Sequence, residues 1–74
     1  MKLYHFPIVI EQDKDGYFVL CPVLQGCYSQ GNTYEKAFEN IKDAIRLHIE
    51  DRRKEGEDLP ETESVSLSAV DISV

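Results

Sequence analysis

Residues 15–33 read DGYFVLCPVLQGCYSQGNT, and this stretch holds most of the signals from which the fold can be predicted. Its opening Asp-Gly completes a turn over residues 13–16, where Gly tolerates the positive φ of a tight turn. The apolar run 17–21 follows the turn, and the aromatic and β-branched run 3–11 precedes it. Because such residues favour strands, the two runs predict a β-hairpin.

Two breaks in the same stretch predict a third strand. Pro22 lacks a backbone donor and Gly26 relaxes the chain, which predicts a loop over residues 22–26 and a short strand over residues 27–30. The first two runs do not alternate between apolar and polar residues, so we expect both faces of the sheet to be covered. A helix can cover one face. A second copy of the chain or another protein can cover the opposite face.

A long amphipathic helix is predicted after Thr33, whose hydroxyl suits an N-cap. Basic residues 52–54 suit the negative end of the helix dipole, and Gly56 is a natural stop. Apolar and aromatic residues, with one His, recur at steps of three and four, as on one face of a helix. They are Tyr34, Ala37, Phe38, Ile41, Ala44, Ile45, His48 and Ile49.

The last part of the chain has strand character. After a polar loop over residues 56–63, residues 65–69 and 70–74 each alternate between apolar and polar, and the change of phase at Ala69 suits a bulge or a strand end. The predicted order is β-β-β-α-β, an α+β fold in which a three-stranded antiparallel meander carries one helix on one face. We expect the last strand to lie beside the first and parallel to it, after a right-handed crossover.

Length and charge restrict the classes of function. We expect residues 1–74 to form a single domain, and its core is marginal at this size, so we also expect a homodimer or a higher oligomer. The chain has 14 acidic and 8 basic side chains, a net charge of −6. That balance argues against direct contact with nucleic acid or an anionic membrane and suits a basic protein partner. The first apolar run is too short to cross a bilayer, so we expect a cytoplasmic protein.

The stretch from Asp15 to Thr33 resembles the N-terminal domain of HicB-type antitoxins, and the similarity covers residues 3 to about 55. That family has an Asp-Gly turn, an aromatic-rich strand, a Pro, a Gly-Cys pair and a Gly just before a Thr-capped helix. Here these are Asp15-Gly16, Tyr17-Phe18, Pro22, Gly26-Cys27 and Gly31. The resemblance implies a degraded ribonuclease H-like fold that usually self-associates and neutralises a small basic HicA toxin, which cleaves messenger RNA. Many members carry a C-terminal DNA-binding module, and we expect none in residues 1–74.

The carboxylates of the chain do not predict catalysis. A ribonuclease H site needs converging carboxylates that hold two metal ions, beginning in the middle of the first strand. Here the first strand has no carboxylate before Glu11, and Asp13 and Asp15 lie in the turn. The start of this turn resembles a calcium loop, but Pro22 stands where the closing Glu would be. We therefore predict no enzyme, no catalytic residue, no metal ligand and no cofactor.

Two cysteines and two histidines are the remaining candidates for chemistry. Five residues separate Cys21 from Cys27, too many for a zinc-knuckle pair, and a four-ligand site would need His5 and His48 on the same side of the sheet. We predict instead two reduced thiols in the core. His48 lies on the apolar face of the helix, which favours packing over a pH-dependent role.

Two surfaces are candidates for a partner. The stretch Glu50–Glu63 holds seven of the fourteen acids and could mask the RNA-binding face of a basic toxin, or it could be an ordinary solvated loop. The edges of the sheet could take up a strand from a partner. We predict an antitoxin-like protein that binds and neutralises a small basic HicA-type toxin. The alternative is a stand-alone homo-oligomeric scaffold or adaptor domain with no toxin partner.

Overall fold

In a computed structural model, which describes residues 3–59 and 64–74, three antiparallel strands are followed by one helix. The strands are β1 (Val9–Asp13), β2 (Gly16–Leu20) and β3 (Tyr28–Gly31), and their spatial order is β1-β2-β3. The α+β class and the antiparallel meander predicted from the sequence are therefore confirmed.

The hairpin between β1 and β2 is closed by local turn chemistry. The Asp15 N–H donates to the Asp13 carboxylate at 2.8 Å, which is an Asx turn. Gly16 follows with a φ of +137°, a backbone conformation that L side chains rarely adopt. The turn leads into a register in which Gln12 pairs with Tyr17 and Val9 with Leu20.

The helix α1 (Tyr34–Lys54) begins and ends as predicted. The Lys36 N–H donates to the Thr33 hydroxyl oxygen at 3.1 Å, so Thr33 is the N-cap. Residues 52–54 place basic side chains in the last turn, where they suit the helix dipole. The chain then leaves the helix at Gly56, which has a φ of +71°.

The core lies between one face of the sheet and α1. Val19, on the central strand, faces Ala37 and Ile41 of the helix, and all three side chains are fully buried. The other buried residues, Cys21, Leu24 and Cys27, come from the segment that joins β2 to β3. Phe6, Ile8, Ile10, Tyr17, Val23, Ala44 and Ile45 pack against this cluster and are partly buried. A core of this size leaves little margin of stability.

The predicted strand over residues 3–11 is wrong at its beginning, because β1 starts only at Val9. Val9 pairs with Leu20, the last residue of β2, so the residues before Val9 have no β2 residue to pair with. Pro7 in addition has no backbone N–H to donate. The second and third strands are also shorter than predicted, since Cys21 and Cys27 lie just outside them.

The predicted fourth strand is not found in the described residues 64–74, nor is its parallel pairing with the first strand. These residues contain no strand, and their side chains are exposed. A strand needs a neighbour that completes its ladder of hydrogen bonds, and alternation of residue types alone does not supply one. Of the loop predicted over residues 56–63, residues 60–63 lie outside the described ranges.

No helix within the described residues is both long enough and apolar enough to cross a membrane.

Candidate protein-binding surface

One face of the sheet has no helix against it. Ile10 of β1 pairs with Val19 of β2, and both side chains pack toward α1. Because side chains alternate along a strand, the residues on either side of these two point away from α1. The strand register brings those neighbours together on the opposite side. We call this side the outer sheet face; it consists of Val9, Glu11, Phe18, Leu20, Tyr28 and Gln30.

Two aromatic rings dominate the outer sheet face. Phe18 on β2 and Tyr28 on β3 occupy diagonal positions, and their rings stack with centroids 5.8 Å apart and planes at 28°. Both side chains are exposed, and the Tyr28 residue retains 63% of its accessible surface. Exposed aromatic side chains on a rigid strand are the residues that most often anchor a protein interface.

The loop between β2 and β3 forms a wall beside these rings. The Cys21 N–H donates to the Cys27 carbonyl at 3.0 Å, the Leu24 N–H to the Cys21 carbonyl at 3.2 Å, and the Cys27 N–H to the Leu24 carbonyl at 3.1 Å. These three bonds hold the loop in one compact shape. A hollow of about 260 Å³ lies between the loop and the rings of Phe18 and Tyr28. At this volume it can receive a side chain of a protein partner.

Three carboxylates border one side of the apolar centre of this surface. Glu11 pairs with Phe18 across the strands and shares its face, and Asp13 and Asp15 lie in the adjoining turn. All three residues are exposed. An apolar centre with acidic residues along one side is complementary to a partner that has an apolar patch beside basic residues.

A second aromatic cluster lies at the beginning of α1. The Tyr34 ring meets Tyr17 edge-on at 6.2 Å and stacks on Phe38 at 6.4 Å, while the Lys42 ammonium lies 5.9 Å from the centre of the Phe38 ring. These rings contact one another and a cation, and Phe38 is as exposed as Phe18. Tyr34 is 50% exposed and makes a suitable comparison for Tyr28.

The acidic stretch predicted as a masking surface is only partly described. Glu50 and Asp51 lie in α1, and Glu55, Glu57 and Asp58 follow it; all five are exposed, whereas Glu61 and Glu63 lie outside the described residues. Residues 52–54 place three basic side chains among them. A hollow of about 400 Å³ beside the helix is lined by Leu47, His48, Glu50, Asp51 and Lys54. The lining contains two carboxylates, Glu50 and Asp51, and one ammonium, Lys54, so the field they produce is mixed in sign and weak.

The described residues provide no metal site. Among residues 3–59 and 64–74, no group of three or more His, Cys, Asp or Glu side chains is placed to hold a metal ion. His5 is exposed, His48 is half-buried on α1, and Cys21 and Cys27 are free thiols inside the core. The prediction that both cysteines are buried in the core is therefore confirmed.

Burial raises the pKa of both thiols. At Cys21 the backbone N–H groups of Val23 and Leu24 oppose this effect in part, and at Cys27 the nearby Cys21 adds to it. The unfolded chain therefore loses its thiol protons at a lower pH than the folded chain. The stability from this difference is fully present below the unfolded thiol pKa, about 8.5, and is lost as pH rises through the folded values.

We expect the free energy of unfolding to fall between pH 8 and pH 9.5 by at most about 1.4 kcal/mol per pH unit for each thiol. The measurement is urea denaturation at several pH values. The double variant Cys21→Ala, Cys27→Ala is the control, because it retains the tyrosines and lysines that also titrate at high pH. An equal slope in the wild-type and control proteins would show that the thiols contribute nothing.

The sequence did not single out the residues of this surface. It predicted that the second face of the sheet needs a cover, but Phe18 and Tyr28 are ten residues apart and become neighbours only through the register of β2 and β3. The signal that could have found them is the apolar character of Phe18 and Leu20, which lie on the opposite face from the buried Val19.

Comparison with known proteins places the chain in a family. Residues 6–71 match the model of the HicB-like antitoxin of bacterial toxin–antitoxin systems. A UPF0150 protein of Synechocystis is 38% identical over 65 residues, which cover 86% of this chain and 82% of that protein. A UPF0150 protein of Thermoplasma acidophilum is 45% identical over 56 residues, 74% of this chain and 81% of the relative.

Among solved structures, a chain from a HicA3 and HicB3 toxin–antitoxin complex superposes with a TM-score of 0.66 at 32% identity, covering 81% of this chain and 70% of that one. The sequence resemblance seen in residues 15–33 thus extends over nearly the whole chain and is accompanied by similarity of fold. The chain belongs to the HicB-like antitoxin family.

Proposed function

We propose that this chain is an antitoxin that binds a small basic HicA-type toxin through its outer sheet face and acts by binding, not by catalysis. The observation that carries the proposal is the family match over residues 6–71. Similarity to a chain from a toxin–antitoxin complex supports it.

The charge and shape of the surface support the same proposal. The chain has a net charge of −6, whereas a protein that binds RNA needs basic side chains for the phosphates. Glu11, Asp13 and Asp15 can pair with those basic side chains, and the rings of Phe18 and Tyr28 can bury apolar surface between them. A toxin held in this way has its phosphate-binding residues occupied and cannot take up RNA.

Self-association is the second part of the proposal. The domain is small, and its core is formed by few buried residues. A homodimer or higher oligomer would add buried apolar surface that the single chain lacks. The alternative is a scaffold or adaptor domain that self-associates in the same way and has no toxin partner.

The toxin-binding prediction can be tested by co-expression with a HicA-type toxin encoded beside this chain. We expect the wild-type chain to restore growth and to co-purify with the toxin. Tyr28→Ala should weaken the complex by about 2 kcal/mol, about thirtyfold in dissociation constant, because it removes an exposed aromatic anchor. Tyr34→Ala is the matched control and should bind within about threefold of wild type, since Tyr34 lies on the other aromatic cluster.

Two outcomes would count against this assignment. No complex and no restored growth would favour the scaffold alternative. Equal weakening by Tyr28→Ala and Tyr34→Ala, with both variants folded by circular dichroism, would show that the outer sheet face is not the binding surface. Metal-dependent cleavage of RNA by the purified chain, abolished by changing Asp13 and Asp15, would overturn the non-catalytic role.

A further inference from the structure

We infer that the stacked rings of Phe18 and Tyr28, here called the aromatic pair, receive the guanidinium group of an arginine side chain from the protein partner. The inference rests on the proposed function and deepens it, because it names the chemical group that the outer sheet face recognises. An apolar side chain is the competing occupant, and the two occupants differ in what they need from the surface.

The domain contains a second stacked pair of rings that already holds a cation. On α1 the rings of Tyr34 and Phe38 stack with their planes at 14°, and the Lys42 ammonium lies 5.9 Å from the centre of the Phe38 ring. A cation at this distance is attracted by the negative face of the ring. The aromatic pair is stacked in a similar way, with planes at 28°, but no Lys or Arg of residues 3–59 and 64–74 lies over its rings. Its ring surface is therefore available to a cation from another molecule.

Two polar side chains beside the aromatic pair can accept hydrogen bonds from such a cation. Glu11 pairs with Phe18 from β1 and Gln30 pairs with it from β3, so the Phe18 side chain lies between a carboxylate and a carboxamide. Side chains in directly opposite positions of this kind have Cβ atoms about 5 Å apart. Within the described part of the chain, the salt bridges lie on α1 and do not include Glu11. The Glu11 carboxylate is therefore free to pair with a cation that binds over Phe18.

An arginine side chain meets these requirements better than a lysine side chain. A guanidinium group is planar and weakly hydrated, so it can lie flat on an aromatic ring while its N–H groups donate in the plane to acceptors at the ring edge. Glu11 and Gln30 provide such acceptors. The methylene groups of the arginine can pack in the hollow beside Leu20 and Pro22. An ammonium group holds its water more strongly and donates from a single point.

An apolar side chain fits this surface less well. It would fill the hollow, but it would gain nothing from the negative ring faces. It would also bring apolar surface against the Glu11 carboxylate, which would lose water without gaining a partner. The net charge of −6 adds a long-range attraction for a basic partner and none for an apolar one. The charges of the chain thus favour the arginine.

The experiment is an NMR titration of the full labelled chain with three capped tripeptides, in which glycines flank an arginine, a lysine or a citrulline. Citrulline has the shape of arginine and no charge. We expect the arginine peptide to shift the ring signals of Phe18 and Tyr28 in a saturable way, with a dissociation constant of about 5 mM. The citrulline peptide should bind at least about fivefold more weakly, and the lysine peptide should fall between the two.

Three results of this titration would contradict the inference. The absence of a saturable shift at the aromatic pair would show that no cation binds there. Equal affinity for the arginine and citrulline peptides would show that the charge is not recognised. A lysine peptide that binds as tightly as the arginine peptide would overturn the assignment of a guanidinium group.

Variants with matched controls test the ring and the carboxylate separately. Tyr28→Leu keeps apolar surface and removes an aromatic face, so it should weaken binding of the arginine peptide at least about threefold. Tyr34→Leu makes the same change in the other stacked pair and should leave the affinity measured at the Phe18 ring within about twofold. Glu11→Gln should weaken binding about threefold, whereas Glu39→Gln, which removes the same charge from α1, should not. Unchanged affinity in Tyr28→Leu would overturn the inference.

The toxin complex gives a readout that separates this inference from the proposed function. In the co-expression assay, Tyr28→Leu should weaken the complex about as much as Tyr28→Ala, and Tyr28→Phe should bind within about threefold of wild type. A complex that keeps its affinity in Tyr28→Leu would overturn the inference and leave toxin binding intact. The absence of any toxin complex would overturn the proposed function, and the peptide titration would then decide the inference alone.

Discussion

Gly31→Ala should unfold this protein or destabilise it by about 3 kcal/mol or more, the high end of the cost of overpacking a core. Gly31 ends β3 directly beneath the first turns of α1. A Cβ placed there would lie 2.5 Å from the Ala37 nitrogen, 2.9 Å from the Lys36 carbonyl carbon and 3.0 Å from the Ala37 Cα. All three atoms belong to the helix backbone, so no side-chain rotation relieves the clash. The helix would have to move away from the sheet and open the core around Ala37 and Ile41.

Gly26→Ala is the control for this prediction. Gly26 has a φ of +77°, but a Cβ there would meet no atom within 4 Å, so the cost is backbone strain of about 1–2 kcal/mol. Urea denaturation followed by circular dichroism at 222 nm compares the two variants. A Gly31→Ala midpoint equal to or above that of Gly26→Ala would show that the helix tolerates a methyl group at this contact.

Leu24→Ala should cost about 2–5 kcal/mol, a loss comparable with the whole stability expected of so small a core. Leu24 is 1% exposed although it lies in a loop, and it is one of the largest fully buried side chains in the described residues. Its removal leaves a cavity beside Val19 and Ile41, and the loop is tied by the three backbone bonds among Cys21, Leu24 and Cys27, so it cannot easily collapse into the space. We expect the urea midpoint to fall sharply.

Leu47→Ala makes the identical chemical change at an exposed site. Leu47 lies on α1 and is 65% exposed, so its truncation should change the free energy of unfolding by about 0.5 kcal/mol or less. The two variants differ only in burial, and the difference between their midpoints measures what Leu24 contributes from inside the loop. Similar midpoints would mean that the loop is not part of the core.

Leu24 and Gly31 connect the stability of the domain with the binding surface. Leu24 holds the loop that forms one wall of the hollow beside Phe18 and Tyr28, and Gly31 permits the helix to cover the opposite face of the sheet. If both faces depend on these contacts, a variant that loosens either one should also weaken the proposed binding of a toxin. Binding assays should therefore be interpreted only for variants whose folding has been measured.

The parts of the structure that could be predicted from the amino-acid sequence are those that depend on short-range chemistry. Asp13 and Gly16 form a turn because their own side chain and backbone favour one, and Thr33 caps α1 through a bond to a residue three positions away. The spacing of Ala37 and Ile41 placed them correctly on the buried side of the helix. The family resemblance in residues 15–33 was carried by this same local chemistry.

The ends of the strands, the role of Leu24 and the conformation of residues 64–74 depended on the tertiary structure. Residues 3–8 and 64–74 have the composition of strands, yet a ladder of hydrogen bonds needs a second segment at the right place, and composition contains no information about where that segment lies. Leu24 sits between Pro22 and Gly26, which predict a loop correctly but cannot show that the loop folds back over Val19. Local bonds were thus determined by the sequence alone, whereas burial and pairing between distant segments were decided only when the sheet and α1 came together.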